Sequence, residues 1–405
     1  MSELTKTLED VFGFTSFRPG QEEVINHLMQ KKKLLAVMPT GSGKSLCYQL
    51  PALLFENQTI VVSPLVALMN DQVIGLKDLG INAERVHSGM SESERTQIWE
   101  KFKNKQIKIL YISPESLMRV EMLSALKALN ISMFVVDEAH CISKWGSDFR
   151  REYELLKELQ NHFPEAIISA FTATADEETR ADINNKLTNG EGKIFLYGFN
   201  RPNLSLAVQQ KTNNWKAQLL EFLANRKNES GIVYCLSQKL TEQCAEFLQS
   251  EDFNAYPFHA GLDTDVKIDT QDKFMTEDNV VVCATIAFGM GIDKADVRYV
   301  AHISLPSSME AFYQEIGRAG RDGLDADTLL IFGLQDLFQR KRFIDMTDAH
   351  DSFKIKEHKR LDALIAYCDS ATCRRQSLLS YFKEICEPCG KCDNCINPPR
   401  MIDGT

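Results

Sequence analysis

The chain has 405 residues, 44% of them apolar and 25% charged, with a formal net charge of −10. This ordinary globular composition and length predict two or three domains with real cores, and exclude fibrous or disordered classes. No apolar run approaches the ~20 residues of a bilayer span, and Met1-Ser2-Glu3-Leu4-Thr5 lacks a basic segment leading into an apolar one, so a soluble intracellular protein without membrane attachment is expected. The negative charge excludes indiscriminate coating of nucleic acid, because phosphate attraction follows local positive charge. Any nucleic-acid track must be a local groove. Short basic clusters at Lys31-Lys32-Lys33, Arg340-Lys341-Arg342, Lys359-Arg360 and Arg374-Arg375 are of the kind that solvated surface charge explains.

Residues 34–38 are an apolar strand that runs into Pro39-Thr40-Gly41-Ser42-Gly43-Lys44-Ser45 and then an apolar helix. Glycines let backbone N–H groups close around phosphate oxygens, Lys44 reaches the terminal phosphates and Ser45 can ligate magnesium. The strict motif places Gly six residues before the Lys, where Met38 stands here. Further apolar runs at 59–63, 109–113, 133–136 and 167–171 are continuous rather than alternating, as in parallel strands covered on both faces. The run at 133–136 ends in Asp137-Glu138-Ala139-His140. There Asp137 can hold magnesium, and Glu138 can orient and polarise an attacking water. Next come Trp145, Phe149 and Arg150, a spacing that suits either base stacking with a phosphate contact or the core anchors of a short helix.

Residues 203–215, polar and without periodicity, are taken as a linker. A second series of strands follows at 231–235, 280–284, 299–304 and 328–332. Two doubly wound lobes are predicted, with the cleft between them as the default ligand site. Beyond about residue 337 the spacing becomes helical and then cysteine-rich. Of eleven cysteines, Cys47, Cys141, Cys235, Cys244 and Cys283 are scattered through strands and helices, while six crowd into 368–395. Cys389, Cys392 and Cys395 form overlapping C-x-x-C turns, the spacing of a structural zinc site, and Cys368, Cys373 and Cys386 compete to be its fourth ligand.

The ordered motifs resemble superfamily 2 helicases and, within them, the RecQ family, over nearly the whole chain. Phe12-Gly13-Phe14, Phe17-Arg18 and Gln21 resemble the segment whose glutamine reads the adenine edge, and 38–49 resembles the family's phosphate loop, its leading Met included. The stretches 61–65, 112–115, 171–175, 258–262, 284–293 and 314–322 resemble its remaining motifs in order. The resemblance implies an α/β fold of two RecA-like doubly wound parallel-sheet lobes and a small helical zinc-binding domain, divided at 1–205, 206–336 and 337–405. It implies an ATP-dependent DNA helicase that couples hydrolysis to 3′-to-5′ translocation on single-stranded DNA and to duplex unwinding in repair and recombination. ATP, Mg²⁺ and Zn²⁺ are the implied cofactors. Single-stranded and forked DNA, with single-strand-binding or repair proteins, are the implied partners of a monomer in the nucleoid or nucleus.

Phe14, Arg18, Gln21, Thr40, Gly41, Ser42, Gly43, Lys44, Ser45 and Asp293 are then the expected nucleotide contacts. Trp145, Phe149, Arg150, Ser63, Ser237, His259 and Thr285 are the expected DNA contacts. Charge building on the transferred phosphoryl group must be met by a cation, and Arg321, supported by Arg318, is the expected finger. The family places its fourth zinc ligand in the Cys-Arg-Arg segment, which is Cys373 here, with Cys386 next by proximity. Three positions depart from the family: Ser147 replaces a usual His, Arg151 a common Pro and Gln238 a frequent Arg, so altered coupling to DNA is expected. RecQ proteins commonly continue into a winged helix, and the core is expected to lack one. A DNA-stimulated translocase that unwinds weakly is the alternative enzyme, and a zinc-dependent DNA-binding module the non-enzymatic one.

Overall fold

The computed structural model describes residues 2–39, 41–143, 150–288, 294–348 and 350–399. The chain divides into two compact units, Met1–Gly198 and Phe199–Thr405. The first holds strands β1 (Leu34–Val37), β2 (Thr59–Val62), β3 (Ala83–Val86), β4 (Ile109–Ile112), β5 (Met133–Val136), β6 (Ile167–Thr172) and β7 (Lys193–Leu196). They form a seven-stranded sheet in the order β3-β4-β2-β5-β6-β1-β7, and every pairing is parallel. β1, β2, β4, β5 and β6 are buried at every residue, which is why their sequences are unbroken apolar runs. The strands that sequence patterning missed are the two edges. Ala83-Glu84-Arg85-Val86 carries charges, and three of the four residues of β7 are exposed.

The second unit holds β8 (Leu204–Gln210), β9 (Gly231–Tyr234), β10 (Asn254–Phe258), β11 (Val280–Ala284), β12 (Tyr299–His302) and β13 (Ala326–Phe332). These make a six-stranded parallel sheet in the order β10-β11-β9-β12-β13-β8. A Cβ on Gly231 would stand 2.0 Å from the Tyr299 ring, so glycine there lets the side chain of its partner on the neighbouring strand lie over it.

The segment 203–215 is not a linker. β8 pairs with β13 along seven residues, and a helix begins at Trp215. Only Leu204 and Leu206 of β8 are buried, so this edge strand has too few apolar residues to stand out by pattern. The first unit likewise ends at Gly198, ahead of the division expected at 205.

After β13 come helices Leu334–Met346, Asp351–Asp369 and Arg374–Tyr381 and a short helix Asp393–Ile396. They cover the β8 edge: Asp393 Oδ2 accepts from Val208 N (2.9 Å), and Ser205 Oγ donates to Lys391 O (3.3 Å). An edge strand is thereby closed to other chains. No helix among the described residues is long and apolar enough to cross a membrane.

Candidate nucleotide site, nucleic-acid face and metal centre

The phosphate loop leaves β1 and enters helix Lys44–Leu54 through Gly41 (φ 81°) and Gly43 (φ 79°), left-handed conformations that glycine adopts without strain. Its N-cap is Gly43 and no side chain among the described residues caps it, which suits its first N–H groups to an anion. Met38 is fully buried, with its sulfur 3.8 Å from Cys47 Sγ. It packs the core instead of lining the loop, which explains why the motif's usual glycine is dispensable. The loop is held from outside. Gln21 Nε2 donates to Ser42 O (3.0 Å) and Gly43 O (3.2 Å), Gln21 Oε1 accepts from Arg18 N (2.8 Å), and Arg18 Nη1 donates to Gly41 O. Gln21 therefore braces the loop, and a direct reading of the adenine edge would have to share its amide. Phe14 is exposed, Lys44 and Ser45 sit half-buried in the helix's first turn, and Thr40 and Asp293 lie outside the described residues.

The carboxylates stand at the end of β5. In the order β2-β5-β6-β1, the carboxyl ends of β5, β6 and β1 bring Asp137, Thr172 and the phosphate loop alongside one another. Burial, then the neighbouring Glu138 charge, pushes the Asp137 carboxyl up to about 6, while Lys44 pulls it down. Buried carboxylates in this state favour a bound cation. Glu138 occupies the left-handed region (φ 47°), and its N–H donates to Asp137 Oδ1 (2.9 Å). Non-glycine strain of this kind clusters at functional sites. The Thr172 hydroxyl donates to Thr174 O (3.1 Å) and so accepts from His140 Nδ1 (2.8 Å), which also faces Glu138 Oε2 at 3.3 Å. This chain of contacts joins the Glu138 carboxylate to the 171–175 motif. Sequence reasoning missed Tyr153, whose hydroxyl donates to Asp137 O (3.0 Å); an isolated tyrosine gave no signal.

The expected nucleic-acid residues also gather at strand ends, but not all are open. Ser63, following β2, is 1% exposed and its hydroxyl has no hydrogen-bond partner among the described residues. His259, following β10, is 3% exposed and its Nε2 lies 3.2 Å from Glu242 Oε1. Both residues are buried here and closed to solvent. Ser237 is exposed and caps helix Gln238–Ser250, accepting from Leu240 N, and Thr285 is half-buried after β11. β10, β11 and β9 are adjacent, so His259, Thr285 and Ser237 share one rim. The Arg150 guanidinium donates to Pro64 O (2.9 Å), tying Arg150 to the segment that follows β2. Trp145, Ser147 and Phe149 lie outside the described residues.

Arg318 and Arg321 follow helix Met309–Ile316 and are half-buried. Burial pushes the Tyr234 hydroxyl up to about 12, and both arginine charges pull it down, which places them near the end of β9. Their loop is clamped by residues from the stretch first taken as a linker and just before it. Arg201 donates to Gly317 O (3.3 Å), Ala319 O (2.9 Å) and Gly320 O (2.8 Å), and Asn203 Nδ2 donates to Gly320 O (2.9 Å). Arg298 Nη2 holds both oxygens of Asp322 at 2.7 and 2.6 Å. Asn200-Arg201-Pro202-Asn203 was the available signal, a polar cluster with no period to mark it.

Four thiols converge: the sulfurs of Cys373, Cys389, Cys392 and Cys395 lie within 4.8 Å of one another. Cys373 and Cys392 are 3.9 Å apart, close to the ~3.8 Å edge of a tetrahedron with Zn–S bonds of ~2.3 Å. Cys373 Sγ accepts from Cys389 N (3.3 Å), and Cys392 Sγ from Arg374 N (3.4 Å). Although burial opposes it, N–H groups of Lys391 and Cys392 bring the Cys389 thiol down to about 6, whereas burial pushes Cys392 up to about 12 and raises Cys395, so of these three only Cys389 leans towards the thiolate before a cation binds. The donor set fits zinc. Cys386 stays outside the cluster, and Cys368 is a packed thiol that burial raises to about 12. The expectation of solvated charge fails at Arg374 and Arg375, which are 6% and 5% exposed. Arg374 Nη1 donates to Tyr367 O and Cys368 O, each at 2.8 Å, and its Nε to Asp393 Oδ1 (3.0 Å). Arg340 and Arg360 are likewise engaged, with Leu305 O and with Glu357.

Three family profiles match in succession: "DEAD/DEAH box helicase" over residues 18–183, "Helicase conserved C-terminal domain" over 215–323 and "RecQ zinc-binding" over 334–396. The ATP-dependent DNA helicase RecQ of Haemophilus influenzae is 42% identical over 398 residues, 98% of this chain and 64% of that protein. The protein of the same name from Bacillus subtilis is 39% identical over 405 residues, 98% of this chain and 68% of the relative. This chain thus spans about two thirds of the length of these curated relatives. Among solved structures, the DUF1998 helicase MrfA bound to DNA and AMPPNP superposes with a TM-score of 0.68 at 18% identity, covering 94% of this chain and 56% of that one. That likeness establishes the two-lobed helicase fold alone. With 39% identity to a relative of which it covers 68%, and with the three profiles in order, the chain belongs to the RecQ helicase family.

Proposed function

We propose that the chain is the motor of an ATP-dependent DNA helicase, hydrolysing ATP to move 3′-to-5′ on single-stranded DNA and to separate duplex in repair and recombination. The observation that carries this reading is the alignment of the phosphate loop, Asp137-Glu138 and the His140–Thr172 link at the ends of three adjacent strands. Gly41, Ser42, Gly43 and Lys44 would cradle the phosphates, braced by Arg18 and Gln21, and the exposed Phe14 would contact the nucleotide. Ser45 and Asp137 would hold magnesium, which when bound neutralises phosphate charge. Glu138, fixed by its strained backbone and by His140, would orient the attacking water. Arg321, with Arg318, would meet the charge that builds on the transferred phosphoryl group. Ser237 and Thr285 would contact the nucleic-acid backbone, and the three-domain division remains part of this reading. DNA in the nucleoid or nucleus is the site of action, and repair proteins are the proposed partners.

The test is ATP turnover with and without single-stranded DNA or RNA, run beside unwinding of a forked duplex. Turnover stimulated by DNA, with fork unwinding from a 3′ tail, is expected. Stimulation by RNA alone, or DNA binding with no turnover, would overturn the reading. DNA-stimulated turnover without unwinding would reduce it to a translocase.

A further inference from the structure

Arg375 is buried in the first turn of helix Arg374–Tyr381, yet it meets no carboxylate among the described residues. Its Nη1 donates to Asn200 Oδ1 (3.0 Å) and to Arg201 O, and its Nη2 donates to Leu204 O. A buried guanidinium with only neutral acceptors is poor value as an ion pair, since desolvation is not recovered by an opposite charge. What it supplies is a planar fork that fixes the backbone around Arg201. Arg201 in turn points its own fork at the carbonyls of Gly317, Ala319 and Gly320, the loop that carries Arg318 and Arg321. Two forks in series therefore connect the residue after zinc ligand Cys373 and Arg374 to the arginine loop.

Packing makes the connection stiff. Phe382 stacks on Phe199 (4.2 Å between centroids, 4° between planes) and meets Tyr313 edge-on at 5.1 Å. The Tyr313 hydroxyl donates to Phe199 O (2.9 Å), and Glu384 accepts from Phe199 N (2.8 Å). The residual cavity lined by Phe199, Tyr313, Arg201, Arg375 and Leu378 is about 10 Å³, room for no more than one water. A second strut reaches the helix that leads into the loop, where Tyr381 Oη donates to buried Glu310 and Arg360 Nε lies 3.7 Å away.

We propose that Arg375 and Arg201 are positioning residues for ATP hydrolysis: the cysteine-ligated segment sets the arginine loop in place, so its integrity governs the turnover rate. The proposal rests on the reading of Arg318 and Arg321 as the hydrolytic cations. Electrostatic stabilisers act only when held within about 0.5 Å of the productive geometry, and supporting residues typically change activity by about 10–100-fold.

The test uses the whole chain carrying Arg375→Lys, and separately Arg201→Lys, with zinc content and thermal melts measured first. With zinc retained, each variant should lower kcat for ATP about 10–100-fold while KM for ATP and the Kd for single-stranded DNA move less than about twofold. Binding of MgADP with aluminium fluoride should weaken by the same factor, and binding of a non-hydrolysable ATP analogue should not. In an Arg321→Ala background, either lysine substitution should cost nothing further. Arg201→Lys decides the matter if Arg375→Lys loses zinc, because Arg201 touches the loop and not the metal segment's core. Unchanged kcat in Arg201→Lys, or losses that multiply with that of Arg321→Ala, would overturn the proposal alone. Normal turnover in both Arg318→Ala and Arg321→Ala would overturn the finger reading and this proposal with it.

Discussion

The phosphate loop and the arginine loop are both glycine-flanked, and they are held in opposite ways. Gly41, Ser42 and Gly43 are bonded by Arg18 and Gln21, only 21 to 23 residues away in sequence. Gly317, Ala319 and Gly320 are bonded by Arg201, 116 to 119 residues away, which is itself held by Arg375 at a separation of 174. A locally held loop keeps its shape whenever its own sheet is folded. A remotely held loop keeps its shape only while a second structure, here the cysteine segment, is also intact.

That contrast can be broken most severely at the metal. Structural zinc supplies ~10 kcal/mol or more of folding free energy, so chelation should unfold residues 334–396 and expose β8, with hydrogen exchange at Val208 rising first. The strands β1 to β6 should stay protected, and Cys373→Ala should lose zinc where Cys368→Ala retains it. Lys44→Ala comes next. It should weaken nucleotide binding and remove ~3–4 kcal/mol of transition-state stabilisation, a fall of ~10²–10³ in turnover, with no change in the melt. Gly43→Ala sharpens the local half of the contrast. A Cβ there would stand 2.5 Å from Gln21 Nε2 on a backbone at φ 79°, so the brace must move and KM for ATP should rise with a stability loss of ~1–3 kcal/mol. Arg298→Ala should do least. The Arg298–Asp322 pair is partly exposed and one of several clamps on its loop, so a loss of at most ~1 kcal/mol in a denaturant melt and a few-fold change in kcat are expected.

The same difference in range decides what the sequence made legible. The central strands and the candidate catalytic cluster were readable because full burial writes itself as apolar runs, and because Lys44, Ser45, Asp137 and Glu138 sit at their ends. The three sequential thiols were readable for the same local reason, whereas the choice among Cys368, Cys373 and Cys386 needed the family resemblance. Edge strands β3, β7, β8 and β10 were not readable, since a strand at a sheet edge is less completely buried and so admits polar residues. Arg201 and Arg375 bond to backbone carbonyls across more than a hundred residues, and nothing in a linear pattern distinguishes such arginines from solvated ones. Ser63 and His259 show the converse, motif positions that are buried.

The most direct measurement of the central claim is single-turnover hydrolysis by Glu138→Gln beside its affinity for a non-hydrolysable ATP analogue. Glu138 is the strained residue (φ 47°) where the Asp137 carboxylate and the His140–Thr172 chain meet, and the amide keeps its shape while removing the charge proposed to polarise water. Analogue affinity unchanged within about twofold, with hydrolysis slowed by ~10²–10⁴ both with and without single-stranded DNA, is the predicted result. Hydrolysis at the normal rate with intact binding would contradict it, and would remove the hydrolytic site from the end of β5.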